Sequence, residues 1–169
     1  MAPVTIYLGL GTNMGQRETN LARAVYRLAE SVRLLRRSAI YETAPWGYTD
    51  QPDFLNCVLE AETVLPPSPL LAMVKRLEEE MGREPGFRWG PRLVDVDILL
   101  YGDLTVDLPD LQIPHPRMAQ RAFVLVPLAE LAPGLVHPTL KRTIAELAGQ
   151  VEGKEGVRWW GAPPHLLKR

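Results

Sequence analysis

The 169-residue sequence has one cysteine, Cys57, and three histidines, His115, His137 and His165. A lone thiol excludes an internal disulfide framework and a cysteine-rich zinc site, and histidines this dispersed make no zinc centre of their own. The absence of disulfides suits a reducing, cytoplasmic setting. Long apolar runs are missing too. "MAPVTIYLGL" carries no basic leader, and no stretch reaches the ~20 apolar residues of a membrane helix, so no membrane partner is expected. Net charge is nearly absent: 19 basic against 20 acidic residues give −1. That leaves no global attraction for nucleic acid, and any basic site must be local. A P-loop string and the protein-kinase motif set are lacking as well, so phosphate binding would need another scaffold.

What is present fits one domain spanning residues 1–169, long enough to bury a full core. "PVTIYLGL" (3–10) reads as a central strand, which the glycines and Asn13 of "GLGTNMG" then break as a tight turn. Between Gln16 and Ser31, Leu21, Ala24, Val25 and Leu28 recur at helical spacing. "VRLLRRSAIYET" (32–43) reads as a strand, "APWGYTDQPD" (44–53) as a loop, and "FLNCVLEAETVL" (54–65) as another strand. In "PPSPLLAMVKRLEEEMG" Ser68 caps a helix over 69–81, with Pro69 in its first turn and Gly82 at its exit. "REPGFRWGPR" (83–92) is a basic loop, and a last strand follows it.

The resulting order is an α+β fold, a ferredoxin-like β-α-β-β-α-β sandwich whose two helices cover one sheet face and leave the other open. Short helices are expected after it, within 113–133, as a C-terminal helical extension. Residues 139–169 carry no motif.

The last strand sits in "RWGPRLVDVDILLYGD" and holds Asp95 and Asp97 two residues apart. Alternation puts Val94, Val96, Ile98 and Leu100 on the core face, and Leu93, Asp95, Asp97, Leu99 and Tyr101 on the other. Two carboxylates ~5 Å apart repel by ~3 kcal/mol at an effective dielectric near 20. A solvent-facing pair on an edge strand is the plain alternative. Arg83, Arg88 and Arg92 precede the pair, however, and His115, Arg117 and Arg121 follow it. Arginines bind phosphate oxygens bidentately and carboxylates hold magnesium, so the combination suits a magnesium nucleotide.

Trp46, Phe54, Trp89 and Phe123 fall in or beside the same charged loops, although core packing is the default for Phe54 and Phe123. Asn56, two residues from Phe54 and on the same strand face, can offer hydrogen bonds to a flat heterocycle stacked between aromatics. Cys57, beside Val58, reads as a small core residue. The residues alone thus point to a magnesium nucleotide beside a planar polar ligand.

"YETAPWGYTDQPDFLN", "RWGPRLVDVDILLYGD", "IPHPRMAQRAFVLVPLAEL" and "LGLGTNMG" together resemble the 6-hydroxymethyl-7,8-dihydropterin pyrophosphokinase family of folate synthesis, over about Val4 to Pro138. The resemblance implies transfer of pyrophosphate from ATP to the pterin hydroxymethyl group, with AMP released. It implies that Asp95 and Asp97 bind two magnesium ions, and that Arg83 and Arg92 engage the phosphates as catalytic groups. His115 and Arg121 would contact the triphosphate, Glu78 and Ile98 the adenosine side, and Trp89 would close over the nucleotide. Pterin would stack between Phe54 and Phe123 near Asp95, bond to Asn56, and meet Thr43, Ala44 and Trp46. The expected assembly is a monomer, with a weak dimer as the alternative.

Two rivals share much of this pattern. A ferredoxin-like RNA-binding or regulatory module would need a basic, aromatic sheet face, which the acid pair opposes. An ordinary kinase would pass one phosphoryl group to a different small alcohol and release ADP.

Overall fold

The computed structural model describes residues 2–45, 50–82 and 93–168. Along the chain run β1 (Val4–Thr12), α1 (Arg17–Leu28), β2 (Arg33–Arg37), β3 (Ile40–Thr43), β4 (Phe54–Thr63), α2 (Pro67–Gly82), β5 (Asp95–Tyr101), β6 (Val106–Leu108), β7 (Leu111–Ile113), α3 (Ala122–Leu131), α4 (Ile144–Gln150) and β8 (Arg158–Gly161). The main sheet has the order β5-β1-β4-β3-β8, and β2 also pairs with β4. All its pairings are antiparallel. β6 and β7 form a separate small hairpin.

β1 lies between β4 and β5, and its alternation sorts the two faces. Ile6, Leu8 and Leu10 meet Leu21, Val25 and Leu28 of α1 and Leu70, Val74 and Met81 of α2 in one buried cluster. That burial of apolar surface, worth ~25 cal/mol per Å², holds both helices on this face. Tyr7 points the other way, into a second cluster with Val58, Leu99, Met118 and Leu125, Leu128 of α3. This face is therefore not open along its length, as the sequence pattern suggests. α3 covers one end and leaves the end at Gly9 and Gly11 as a cleft.

Several local expectations are corrected. The run 32–43 makes two strands, because Ser38 and Ala39 interrupt it. Ser38 Oγ accepts from the Val58 N–H at 2.8 Å, and the Glu130 carboxylate of α3 accepts from the Ala39 N–H at 3.2 Å and from the Tyr41 hydroxyl at 2.6 Å. α2 starts at Pro67 rather than at residue 69. The Pro66 carbonyl takes the first helical bond, from the Leu70 N–H, so Pro67 occupies the position where a missing N–H costs nothing and Ser68 lies inside the first turn. α1 stops at Leu28, three residues short of Ser31.

Gly9 and Gly11 do not end β1. They pair within it, and the turn comes later, where Gly15 adopts φ +60°. In β5 the alternation breaks, because the β1 register shifts between Tyr7 and Leu8, so that Tyr7 faces Leu100 while Leu8 faces Ile98. This bulge turns Leu100 toward α3 together with Leu99, and turns Tyr101 into the α1–α2 core. Leu93 precedes the strand and packs into that same core with Val94. The C-terminal residues, silent in sequence, add a capped helix and a strand. In α4 Thr143 and Glu146 exchange bonds as a capping box, and β8 adds a sixth strand beside β3.

Candidate active site

The cleft at the open end of the sheet measures about 260 Å³. Its floor is a consequence of register. Gly11 lies between Asn56 of β4 and Asp95 of β5, and Gly9 between Val58 and Asp97. Two residues without side chains therefore separate the acid pair from the polar Asn56, which leaves a groove across three strands. Thr43, Ala44, Phe54, Asn56, Asp95, Asp97, Arg121 and Phe123, all expected at the site, line this one cleft.

Asn56 is buried, and its Nδ2 donates to Thr43 Oγ1 at 2.9 Å, which fixes the amide with Oδ1 toward Gly11. Thr43 and Phe54 are direct partners across β3 and β4. On the opposite side Asp97, with 42% of its side chain exposed, sits 3.7 Å from Nη1 of Arg121. Arg121 precedes α3, and its Cζ lies 5.6 Å from the centre of the Phe123 ring. One guanidinium thus bridges the acid side of the cleft and its aromatic wall. Part of the repulsion expected between the two carboxylates is relieved by this cation from within the chain.

His115 flanks the acids without lining the cleft. Its N–H donates to the carbonyl of the bulge residue Leu99 at 2.9 Å, and its Nδ1 accepts from the Arg117 N–H at 3.1 Å. Burial pushes its pKa below the ordinary histidine value; the Asp97 carboxylate opposes this, and Arg121 and Arg117 reinforce it. With Nδ1 used as an acceptor, the neutral ring carries its proton on Nε2.

Two other expected residues stand apart from the cleft. Ile98 is buried in the α1–α2 core. Glu78 is 3% exposed; its Oε2 accepts from the Val96 N–H at 2.8 Å, and its Oε1 lies 3.5 Å from Lys75 Nζ. Glu78 therefore satisfies the outer edge of β5. Trp46, Arg83, Trp89 and Arg92 lie outside the described residues.

Gly9, Gly11, Gln51 and Cys57 also line the cleft; the resemblance puts the "LGLGTNMG" strand and turn near the site without a role for either glycine, and gives none to Gln51 or Cys57. Glycine at alternate positions of an apolar strand was the available signal for the first two. Cys57 is fully buried, and burial pushes its thiol pKa up to about 12. Among the described residues, no group of three or more His, Cys, Asp and Glu side chains could hold a metal, so the acid pair stands as a two-carboxylate donor set.

Residues 7–133 match the 7,8-dihydro-6-hydroxymethylpterin-pyrophosphokinase (HPPK) family. The chain belongs to the HPPK family. It is 42% identical over 142 residues to the 2-amino-4-hydroxy-6-hydroxymethyldihydropteridine pyrophosphokinase of Aquifex aeolicus, covering 84% of this chain and 89% of that protein. The protein of the same description from Methylorubrum extorquens is 46% identical over 145 residues, covering 83% and 92%. Among solved structures, wild-type HPPK-DHPS of Plasmodium falciparum with pteroate superposes with a TM-score of 0.72 at 18% identity. That match covers 88% of this chain but only 42% of the larger one, and it shows a shared fold. The HPPK match ends before α4 and β8, so those elements lie beyond it. No described helix is long and apolar enough to cross a membrane.

Proposed function

We infer that this chain transfers the pyrophosphoryl group of ATP to the hydroxymethyl oxygen of 6-hydroxymethyl-7,8-dihydropterin and releases AMP, a step of folate biosynthesis. The observation that carries this reading is the cleft of an HPPK-family chain in which an acid pair and an amide-lined aromatic slot face each other across Gly9 and Gly11. A flat heterocycle would stack against Phe54 and Phe123, which both line the cleft, with Asn56 and Thr43 at its polar edge. Its hydroxymethyl arm then points across the glycines toward Asp95 and Asp97.

The donor set suits magnesium. Magnesium is held through one or two carboxylates together with substrate phosphates and water rather than in an all-protein cage, and Asp95 and Asp97 offer such a pair beside open space. These two residues would hold two ions. When bound, the ions neutralise charge that develops on the phosphate oxygens.

The remaining chemistry belongs to the chain. Arg121, only loosely engaged by Asp97, turns its guanidinium to phosphate oxygens. His115 donates from Nε2 to the same group. By the family resemblance Arg83 and Arg92 would add charge at the transferred phosphates, Trp89 would cover the nucleotide and Trp46 with Ala44 would meet the pterin; Ile98 and Glu78, buried apart from the cleft, present no exposed side chain to the adenosine side. The pterin hydroxyl oxygen attacks the β-phosphorus and gives up its proton to solvent as the bond from the β-phosphorus to the AMP oxygen breaks in line, so catalysis is positioning and electrostatics.

The sheet order, with β2 and β3 read as one strand and with α1 and α2 on one face, supports a ferredoxin-like β-α-β-β-α-β core. α3 and α4 supply a largely helical extension. Incubation with magnesium ATP and the dihydropterin, followed by phosphorus NMR, tests the reading. AMP and pterin pyrophosphate should form in equal amounts. ADP would point to single phosphoryl transfer, and no turnover to a binding module.

A further inference from the structure

Behind the aromatic wall of the cleft lies an ion cluster that neither the acid pair nor the phosphates require. Glu42 of β3 points away from Thr43 and toward α1. Arg17, the first residue of α1, donates from Nη1 to Glu42 Oε2 at 2.8 Å and to the Asp53 carbonyl at 2.9 Å. Arg158 of β8, the direct cross-strand partner of Glu42, donates from Nη2 to Glu42 Oε1 at 3.2 Å and to Asp53 Oδ2 at 3.0 Å. Two guanidiniums and two carboxylates thus tie Glu42 to Asp53, the residues just outside Thr43 and just before Phe54. Asn13 adds a third tether, donating from Nδ2 to Gln51 Oε1 at 2.7 Å and to the Pro52 carbonyl at 3.1 Å.

Thr43, Ala44, Gln51 and Phe54 all line the cleft, so the cluster ties together described residues on one side of it. The Arg17–Glu42 pair is the more enclosed, and the Arg158 side chain is half exposed. Two cations share Glu42, so loss of Arg158 leaves Arg17 in place and the strand pairing intact. Arg158 also lies beyond the family match at 7–133.

We propose that Arg158 is a positioning residue that, by bridging Glu42 and Asp53 from behind, sets the spacing of Thr43 and Phe54 and so the affinity for the pterin. The proposal rests on the function inferred above. Its expected signature is selective, because the clamp touches the pterin wall and not Asp95, Asp97, His115 or Arg121.

Calorimetry on the full chain, with the dihydropterin and separately with magnesium ATP, tests it. Arg158→Ala should bind the pterin about three to five times more weakly, the scale of a half-exposed ion pair, with ATP affinity unchanged within about 1.5-fold. Arg158→Lys should recover part of the loss, since an ammonium reaches one carboxylate but cannot bridge two as the guanidinium fork does. Asp53→Asn should lower pterin affinity by a smaller factor, because only one arm of the bridge weakens. Added salt should weaken pterin binding in the wild type and not in Arg158→Ala, although the pterin itself is uncharged.

Wild-type pterin binding that Arg158→Ala leaves unchanged overturns the clamp and spares the function. Equal loss of pterin and ATP affinity, or no recovery with lysine, also overturns it, since a general weakening of the fold behaves that way. A wild-type protein that binds no dihydropterin overturns the function and the clamp's role with it.

Discussion

A Cβ placed on Gly11 would lie 3.0 Å from Asn56 Oδ1, whereas one on Gly9 would meet Leu99 no closer than 3.5 Å. Of the two floor glycines, only Gly11 is required by a close approach. Gly11→Ala should push the Asn56 amide off Thr43 and weaken pterin binding by roughly tenfold or more, on the scale of a core overpacked by one methyl. Gly9→Ala should change it less. Titration of both variants with dihydropterin checks the order, and equal affinities would remove Gly11 from the account.

Asn56→Ala removes the amide without adding bulk. Buried polar atoms of the heterocycle then lose partners, which costs ~1 to 3 kcal/mol, or about 5- to 150-fold in affinity. Magnesium ATP should bind as before. Calorimetry with each ligand separates the two, and pterin binding equal to the wild type would exclude Asn56 from recognition.

His137 should couple stability to pH. It is buried, its Nδ1 accepts from the Thr139 and Leu140 N–H groups, and burial pushes its pKa below the ordinary value of 6.5. The unfolded chain therefore binds this proton more readily than the folded one. The stability it supports is complete above pH 6.5 and declines as pH falls toward the lowered folded value. His137→Asn keeps an acceptor but does not titrate. Melting temperatures between about pH 5 and pH 7.5 should fall less steeply in this variant. Parallel curves for variant and wild type would refute the assignment.

Cys57 lines the cleft, yet its thiol is held protonated by burial, with a pKa pushed up to about 12. A thiol in that state is a poor nucleophile. Iodoacetamide at pH 8 should label it only after the chain unfolds. Fast labelling of native protein would show that the site opens.

The acid pair and Asn56 stood out in sequence because each breaks the pattern of its own strand, with charges or an amide in an apolar run; for Phe54 and Phe123 core packing was the default, and only the family resemblance brought them to the cleft they line. The helix-forming stripe of α1 and the Pro-led start of α2 were equally plain, though Pro67 and not Ser68 sets that boundary. What local pattern could not carry was register. That Gly9 and Gly11 stay inside β1, opposite Asp97 and Asp95, depends on pairing with β5 from far along the chain. The exchange of Leu100 and Tyr101 between faces depends on a bulge that no alternation rule contains. Arg158 and β8 were illegible for the same reason. Their partners, Glu42 and Asp53, lie more than a hundred residues away.

If Asp95 and Asp97 act together on the phosphates, Asp97→Asn should show it. The side chain keeps its shape, loses its charge, and also loses the ion pair with Arg121. If the pair stabilises the transition state through bound magnesium, losing ~3 to 4 kcal/mol should slow AMP formation by roughly a hundred- to a thousandfold. The fold should survive, with a melting temperature close to that of the wild type, because the replaced group is partly exposed and its ion pair is long. Turnover and melting should be measured on one sample. Folded Asp97→Asn protein with turnover slowed to that extent is the predicted result, and the same protein forming AMP at the wild-type rate would contradict the account.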